Sequence, residues 1–254
     1  MRPSERNKVK RKLIGVAMAF AVAVTAVAGA GSAQAATPRP AGSTVHPNVD
    51  PVTVAEAIKA AYDAYKTFFG GGSSANATAQ IIAAIKAAER EIINHIDAIA
   101  AADARACAQS AVLNFPDFDN LTTDNKQNFA LTATSCITEI DSLLSAVTDK
   151  AAKDQLGFSL NAVGPIALMA RSKAGLHNDT LVPVLRESNQ KVLTGLTPRC
   201  VNLFDPDSHG KRWFCTAYNG FRADDVTQPD AQDDAMVNTS WEIAKNTLPQ
   251  LASL

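Results

Sequence analysis

Four cysteines are the residues in this chain most ready to do chemistry: Cys107, Cys136, Cys200 and Cys215. A thiolate can hold a metal, act as a nucleophile or join a second sulfur. Zinc needs close Cys-x-x-Cys or Cys/His pairs, and the chain has none. Pairing as disulfides is the chemistry expected of them in an exported protein. Four cysteines allow three connectivities.

The stretch 197–229 and the acidic residues after it, to 234, hold the other candidates. Asp205-Pro206-Asp207-Ser208-His209-Gly210 opens like a calcium loop, with donors at the first and third positions and Gly at the sixth. The twelfth position should be Glu and is Thr216, the fifth is His, and Pro206 interrupts the run. A turn rich in Asp, Pro and Ser accounts for the same residues. Ser208 and Lys211 have the S-x-x-K spacing of penicillin-interacting serine enzymes, but the S-D-N and K-T-G elements are missing. His209 with its Asp neighbours offers a base and an orienter for a hydrolase. Asp224, Asp225, Asp230, Asp233 and Asp234 either favour a helix start or gather a cation. Lys211, Arg212, Trp213, Phe214, Tyr218 and Phe221 supply the Arg and aromatics typical of interface hot spots. The same residues can instead roof the core.

Two further features lie outside that stretch. His95 falls between Ile92 and Ile99 on an apolar face. A packed, hydrogen-bonded imidazole is expected there rather than a ligand. Gly70-Gly71-Gly72 follows no strand and leads to no Gly-Lys-Ser/Thr, so it reads as a turn, not a phosphate cradle. No catalytic, cofactor-binding or metal-binding residue is assigned.

Residues 1–35 have a basic start, an apolar run from Leu13 to about Ala30, and Ala33 and Ala35 at an A-x-A site. This is the pattern of a secretory signal peptide. In its alanine content the run is similar to signal peptides of high-GC Gram-positive bacteria. The segment carries six of the 24 Lys+Arg and one of the 25 Asp+Glu, so its removal leaves a net charge near −6. An acidic exported chain does not suit nucleic acid, which wants a basic patch. It also disfavours attachment to anionic lipid.

The elements that position these residues read as helices. Residues 36–50 hold three prolines without apolar periodicity and read as a disordered leader. A first helix opens at Asp50-Pro51, with Thr53 and Glu56 as a capping box. Residues 75–113 contain no Gly or Pro and set Ile81, Ile85, Ala88, Ile92 and Ile99 on one face. Unbroken, that helix is about 58 Å long at ~1.5 Å per residue. It exceeds the ~44 Å diameter of a compact globule of this size. Either the bundle is elongated or the helix bends.

A helix capped by Asp124 follows, with Phe129, Ala133, Cys136, Ile140 and Leu144 on its apolar side. It returns antiparallel to the long helix. The turn centres near Asn120, which brings Cys107 and Cys136 nearly level and pairs them. Cys200 and Cys215 then close the irregular loop. Residues 151–170 are apolar on all sides and belong in the centre of the bundle, with a kink at Pro165. A helix from Leu181 to Leu196, capped by Asn178-Asp179-Thr180, precedes 197–229. That loop has room for a short hairpin around Trp213-Phe214. A last helix starts at Thr227 and Asp230 and carries Val237, Trp241, Ala244, Leu248 and Leu251.

The expected fold is an all-α bundle of about six helices over 51–254, built on one long helix at 75–113. The function expected is non-enzymatic contact with a macromolecule at or outside the cell envelope. Two alternatives stand beside it. A membrane-active protein is one: the long helix beside an apolar segment looks faintly like helical pore-forming toxins, with no shared motif. A hydrolase centred on His209 within 197–234 is the other.

Overall fold

A computed structural model describes residues 51–205, 210–237 and 239–254. The signal segment, the leader, Asp50 and residues 206–209 lie outside them. Nine α-helices and a three-stranded antiparallel sheet are present among the described residues. The protein is thus mostly helical, which supports the expected helical bundle in outline; the small sheet and the larger number of helices depart from it.

The core is built around α6, Lys150–Lys173. Every residue from Leu156 to Ala170 is buried. Around it pack α1 (Pro51–Phe69), α5 (Thr123–Ala146), α7 (Leu181–Leu196) and α9 (Ser240–Ala252). A helix apolar on every side has to be enclosed in this way. Of its few polar groups, the Asn161 amide nitrogen is paired: Nδ2 donates to Asn189 Oδ1 on α7 at 2.9 Å and to Gly157 O at 2.9 Å. Gly164 is a contact point, since a methyl group there would overlap the Tyr62 hydroxyl of α1. Pro165 lies inside the helix and leaves the Asn161 carbonyl without its usual N–H donor.

The single helix expected over 75–113 does not form. Three helices replace it: α2 (Ser74–Ala87), α3 (Glu89–Asp97) and α4 (Ala102–Asn114). Ala88 departs from the helix at φ −120°, ψ 17°. Each piece keeps its own buried stripe: Ile81 and Ile85, then Ile92 and Ile96, then Ala104, Ala108 and Ala111. Alanine's helix preference is worth a few tenths of a kcal/mol per residue. Burying an isoleucine is worth about 1.5–3 kcal/mol. Breaking the rod so that its isoleucines reach the core is therefore favourable. At the second break Gln109 Nε2 donates to Asp97 Oδ1, and Arg105 donates to the Ile99 carbonyl at 3.4 Å.

Three caps also differ from expectation. Thr53 lies within α1 rather than at its start. Thr122, not Asp124, caps α5, accepting from Asn125 N at 3.4 Å. Thr180 precedes α7 without a side-chain cap bond. Asn178 Nδ2 instead donates to Tyr65 Oη at 2.6 Å, Leu168 O at 3.0 Å and Ser172 Oγ at 2.9 Å. The expected last helix is divided into α8 (Gln228–Met236) and α9. Thr227 does cap α8, accepting from Asp230 N at 3.3 Å.

A 3-10 turn, Phe115–Asn120, joins α4 to α5. The Cys107–Cys136 disulfide bridges those two helices with Cα atoms 5.5 Å apart. Cys200–Cys215 joins two strands, and no described cysteine is free. Such bonds accord with an oxidising compartment.

The enclosed position of α6 generates a prediction. Leu160→Asp or Val163→Asp puts an unpartnered charge at a site with no exposure. That costs several kcal/mol against a total of about 5–15 kcal/mol. Both variants should lose cooperative melting by circular dichroism; wild-type melting of either would show that α6 is not the enclosed centre.

Candidate sheet-face binding site

The sheet comprises β1 (Arg199–Asp205), β2 (Gly210–Thr216) and β3 (Arg222–Asp225), in the order β1-β2-β3. Arg199 pairs with Thr216, Val201 with Phe214 and Leu203 with Arg212. On the other side of β2, Phe214 pairs with Asp224 and Thr216 with Arg222. Side chains alternate between faces of a sheet. The register therefore sorts them into two sets.

One set is covered. Cys215 is buried against Ala231 and Ala235 of α8, with Cys200, Trp213 and Ala223 around it. The other set is open. A cavity of about 680 Å³ lies over Arg199, Val201, Leu203, Phe214, Arg222 and Asp224. Val201 is 40% exposed and Leu203 52%. Lys150, from the start of α6, and Tyr218, from the turn after β2, complete the wall.

The charges around this cavity are unequal. Arg212 Nε lies 2.8 Å from Asp224 Oδ2, a charge contact rather than an aligned hydrogen bond. Lys150, Arg199 and Arg222 have no carboxylate partner among the described residues. Among the described residues Lys150 Nζ donates only to the Thr197 carbonyl, at 3.4 Å. The cavity thus has an apolar floor and a cationic rim, on a chain whose exported part is acidic.

Tyr218 is held from behind. Its hydroxyl donates to Asp154 Oδ2 at 2.7 Å, and Asp154 Oδ1 accepts from Ser240 N at 2.6 Å. Asp154 is 6% exposed. Burial raises its pKa above the ordinary 3.8, and the two donors only partly offset this. Burial, and then the Asp154 charge, push the Tyr218 hydroxyl upward as well. A tyrosine that donates to a carboxylate and resists ionisation is an anchor, not a base.

The sequence candidates are scattered by the fold. Arg212, Phe214 and Tyr218 reach the open face. Trp213 packs toward α8, while Lys211 and Phe221 are exposed elsewhere. The hot-spot group is therefore part surface and part roof. The acidic residues do not gather. Asp224 meets Arg212, Asp225 Oδ1 accepts from Val226 N at 2.5 Å, Asp230 accepts from Thr227 Oγ1 at 2.6 Å, and Asp233 pairs with Lys245. Among the described residues no cluster of three metal-ligating side chains occurs. Thr216 stands in β2, so the twelfth position falls within a strand and not at the start of a helix as in a helix–loop–helix calcium site. Ser208 and His209 lie outside the described residues, and the hydrolase reading acquires no geometry. His95 is half-buried and stacks on Phe158, with ring centroids 3.9 Å apart.

Sequence reading missed Lys150, Arg199, Val201, Leu203, Arg222 and Asp154. Alternation in Arg-Cys-Val-Asn-Leu was the available signal for β1. Asp154 had one too: it is the only charged residue between Lys153 and Arg171 on an otherwise enclosed helix, where a carboxylate needs partners. Comparison with protein-family models, with curated proteins and with solved structures finds no match to the chain. Among the described residues no helix is long and apolar enough to cross a membrane.

Removing Asp154 should be measurable. Asp154→Ala strands the Tyr218 hydroxyl and the Ser240 N–H, at about 1–3 kcal/mol for each donor. Asp154→Asn should cost less, because an amide can accept from Ser240 N and donate to Tyr218 Oη. The raised pKa means that the folded state holds the Asp154 proton more tightly than the unfolded chain. That contribution is full below pH 3.8 and is lost as the pH rises through the folded value. Wild-type Tm minus Asp154→Asn Tm should therefore fall as the pH is raised from below 3.8. A difference independent of pH would show that the carboxyl titrates normally.

Proposed function

We propose that the chain is an exported recognition protein without catalytic activity, which binds an acidic, apolar segment of another protein on the open face of its sheet. The observation that carries this reading is the coincidence at one cavity of exposed Val201 and Leu203 with Lys150, Arg199 and Arg222, none of them ion-paired among the described residues. Apolar side chains of the partner fill the floor. Its carboxylates meet the rim, with their energy increased by partial exclusion of water. Specific interfaces are built in this manner, with an apolar centre and a polar border.

Export is supported by the signal pattern of residues 1–35 together with the two disulfides. The partner is accordingly sought at the outer side of the cell envelope or beyond it. A cationic rim on an acidic chain also steers acidic ligands, which makes association sensitive to salt.

Selection of random peptides displayed on phage against the purified chain tests the reading. Selected peptides should combine Asp or Glu with apolar residues. The double variant Lys150→Glu/Arg222→Glu should weaken them at least about tenfold, equivalent to about 1.4 kcal/mol. Binding of wild type should weaken as salt is raised. Binding to anionic vesicles in place of peptides, or peptides indifferent to the double variant, would overturn the assignment.

A further inference from the structure

We propose that β1 is a self-association edge, across which two copies of the chain join their sheets by antiparallel β1–β1 pairing. This goes beyond the peptide-binding reading and does not rest on it. Strand β1 is at the end of the sheet, and β2 is the only described element against which it packs extensively. Natural edges are usually blunted by lysine, proline, a bulge or a covering segment. Strand β1 contains neither lysine nor proline, and it pairs with β2 over its whole length without a bulge. It is apolar and exposed on both faces, with Leu203 at 52% and Phe204 at 62%.

The direction of its free backbone groups follows from the disulfide. Cys200 and Cys215 face each other with Cα atoms only 4.1 Å apart. This is the close, non-hydrogen-bonded type of antiparallel pair, near ~4.5 Å, and not the ~5.5 Å type. The N–H and C=O of Cys200 therefore point away from β2. By alternation so do those of Asn202 and Phe204. These three residues offer the edge to a second strand.

The strand is also complementary to itself. Two copies related by a two-fold axis at Asn202 pair all seven residues of β1. Asn202 then meets its own copy, Cys200 meets Phe204, and Val201 meets Leu203. The outward-pointing groups coincide in this register. The only charged positions of the strand, 199 and 205, stand at opposite ends with opposite signs. Antiparallel alignment sets unlike ends together, whereas parallel alignment would set like on like. A two-fold axis gives a closed contact, which ends at two copies. The open faces of the two sheets then lie on the same side, and their Val201 and Leu203 side chains become one continuous apolar surface.

Light scattering of the purified chain tests this without any ligand. Wild type should have twice the mass of the chain. Asn202→Pro removes an outward N–H and leaves the β1–β2 ladder intact. Asn202→Lys keeps the backbone but sets two ammonium groups face to face on the axis. Both variants should have the mass of one chain and melt as a folded protein. Hydrogen exchange at the Cys200 and Phe204 amides should be slower in wild type than in Asn202→Lys. A wild-type mass of one chain, a pair that survives both variants, or open-ended aggregates would each overturn the proposal. None of these outcomes bears on peptide binding, which is read with Lys150→Glu/Arg222→Glu.

Discussion

The arrangement depends on a single buried carboxylate. Asp154 sits near the start of the central helix, just before its enclosed apolar run, and takes a hydrogen bond on each oxygen. One comes from Tyr218, in the turn between β2 and β3. The other comes from the backbone at the first residue of α9. A lone acid in such a place is unfavourable unless partnered, and its partners come from two elements distant in sequence. The enclosed helix thus fixes where α9 begins and how the sheet meets the bundle. Gly157 permits this approach, since a methyl there would overlap the Ser240 side chain.

The sheet is fixed on one side only. Its inner face is closed by Ala231 and Ala235 of α8, residues small enough to let the helix lie close over the Cys200–Cys215 bond. That disulfide closes a loop with a sequence separation of 15, for which chain-entropy estimates give about 3 kcal/mol. A two-stranded hairpin such as β1–β2 is marginal on its own without such a staple or a packed neighbour. With it, the outer face need not contribute to stability. It can present Val201, Leu203 and Phe214 between cations, an arrangement that a core would not tolerate. The consequence runs from two cysteines to a free surface.

What the sequence disclosed follows the strength of the local signals. The apolar run at 151–170 could have only one place, and it occupies the centre. The bounds of α7, the cap at Thr227 and the pairing of the four cysteines were legible from periodicity, hydroxyl placement and hairpin geometry. The 75–113 rod was misread because alanine propensity favours helix at every position but does not fix the helix's direction. Burial of Ile92 and Ile96 did that, and it is a property of the whole fold. Of the sheet only a hairpin around Trp213-Phe214 was legible; its full extent was read as irregular because the strands mix charges with aromatics. Its open face was invisible for a further reason: Lys150 and Arg222 are 72 positions apart in sequence, and the register that brings them to one cavity is set by pairing, not by pattern.

The central claim is that recognition occurs on the open face of the sheet. Nuclear magnetic resonance of the purified chain tests it most directly, during titration with a soluble peptide that alternates glutamate and leucine. The account predicts saturable shifts of the Val201 and Leu203 methyls and the Phe214 ring, while Ala231 and Ala235 on the covered face stay in place. Shifts confined to other surfaces, or none at all, would contradict it.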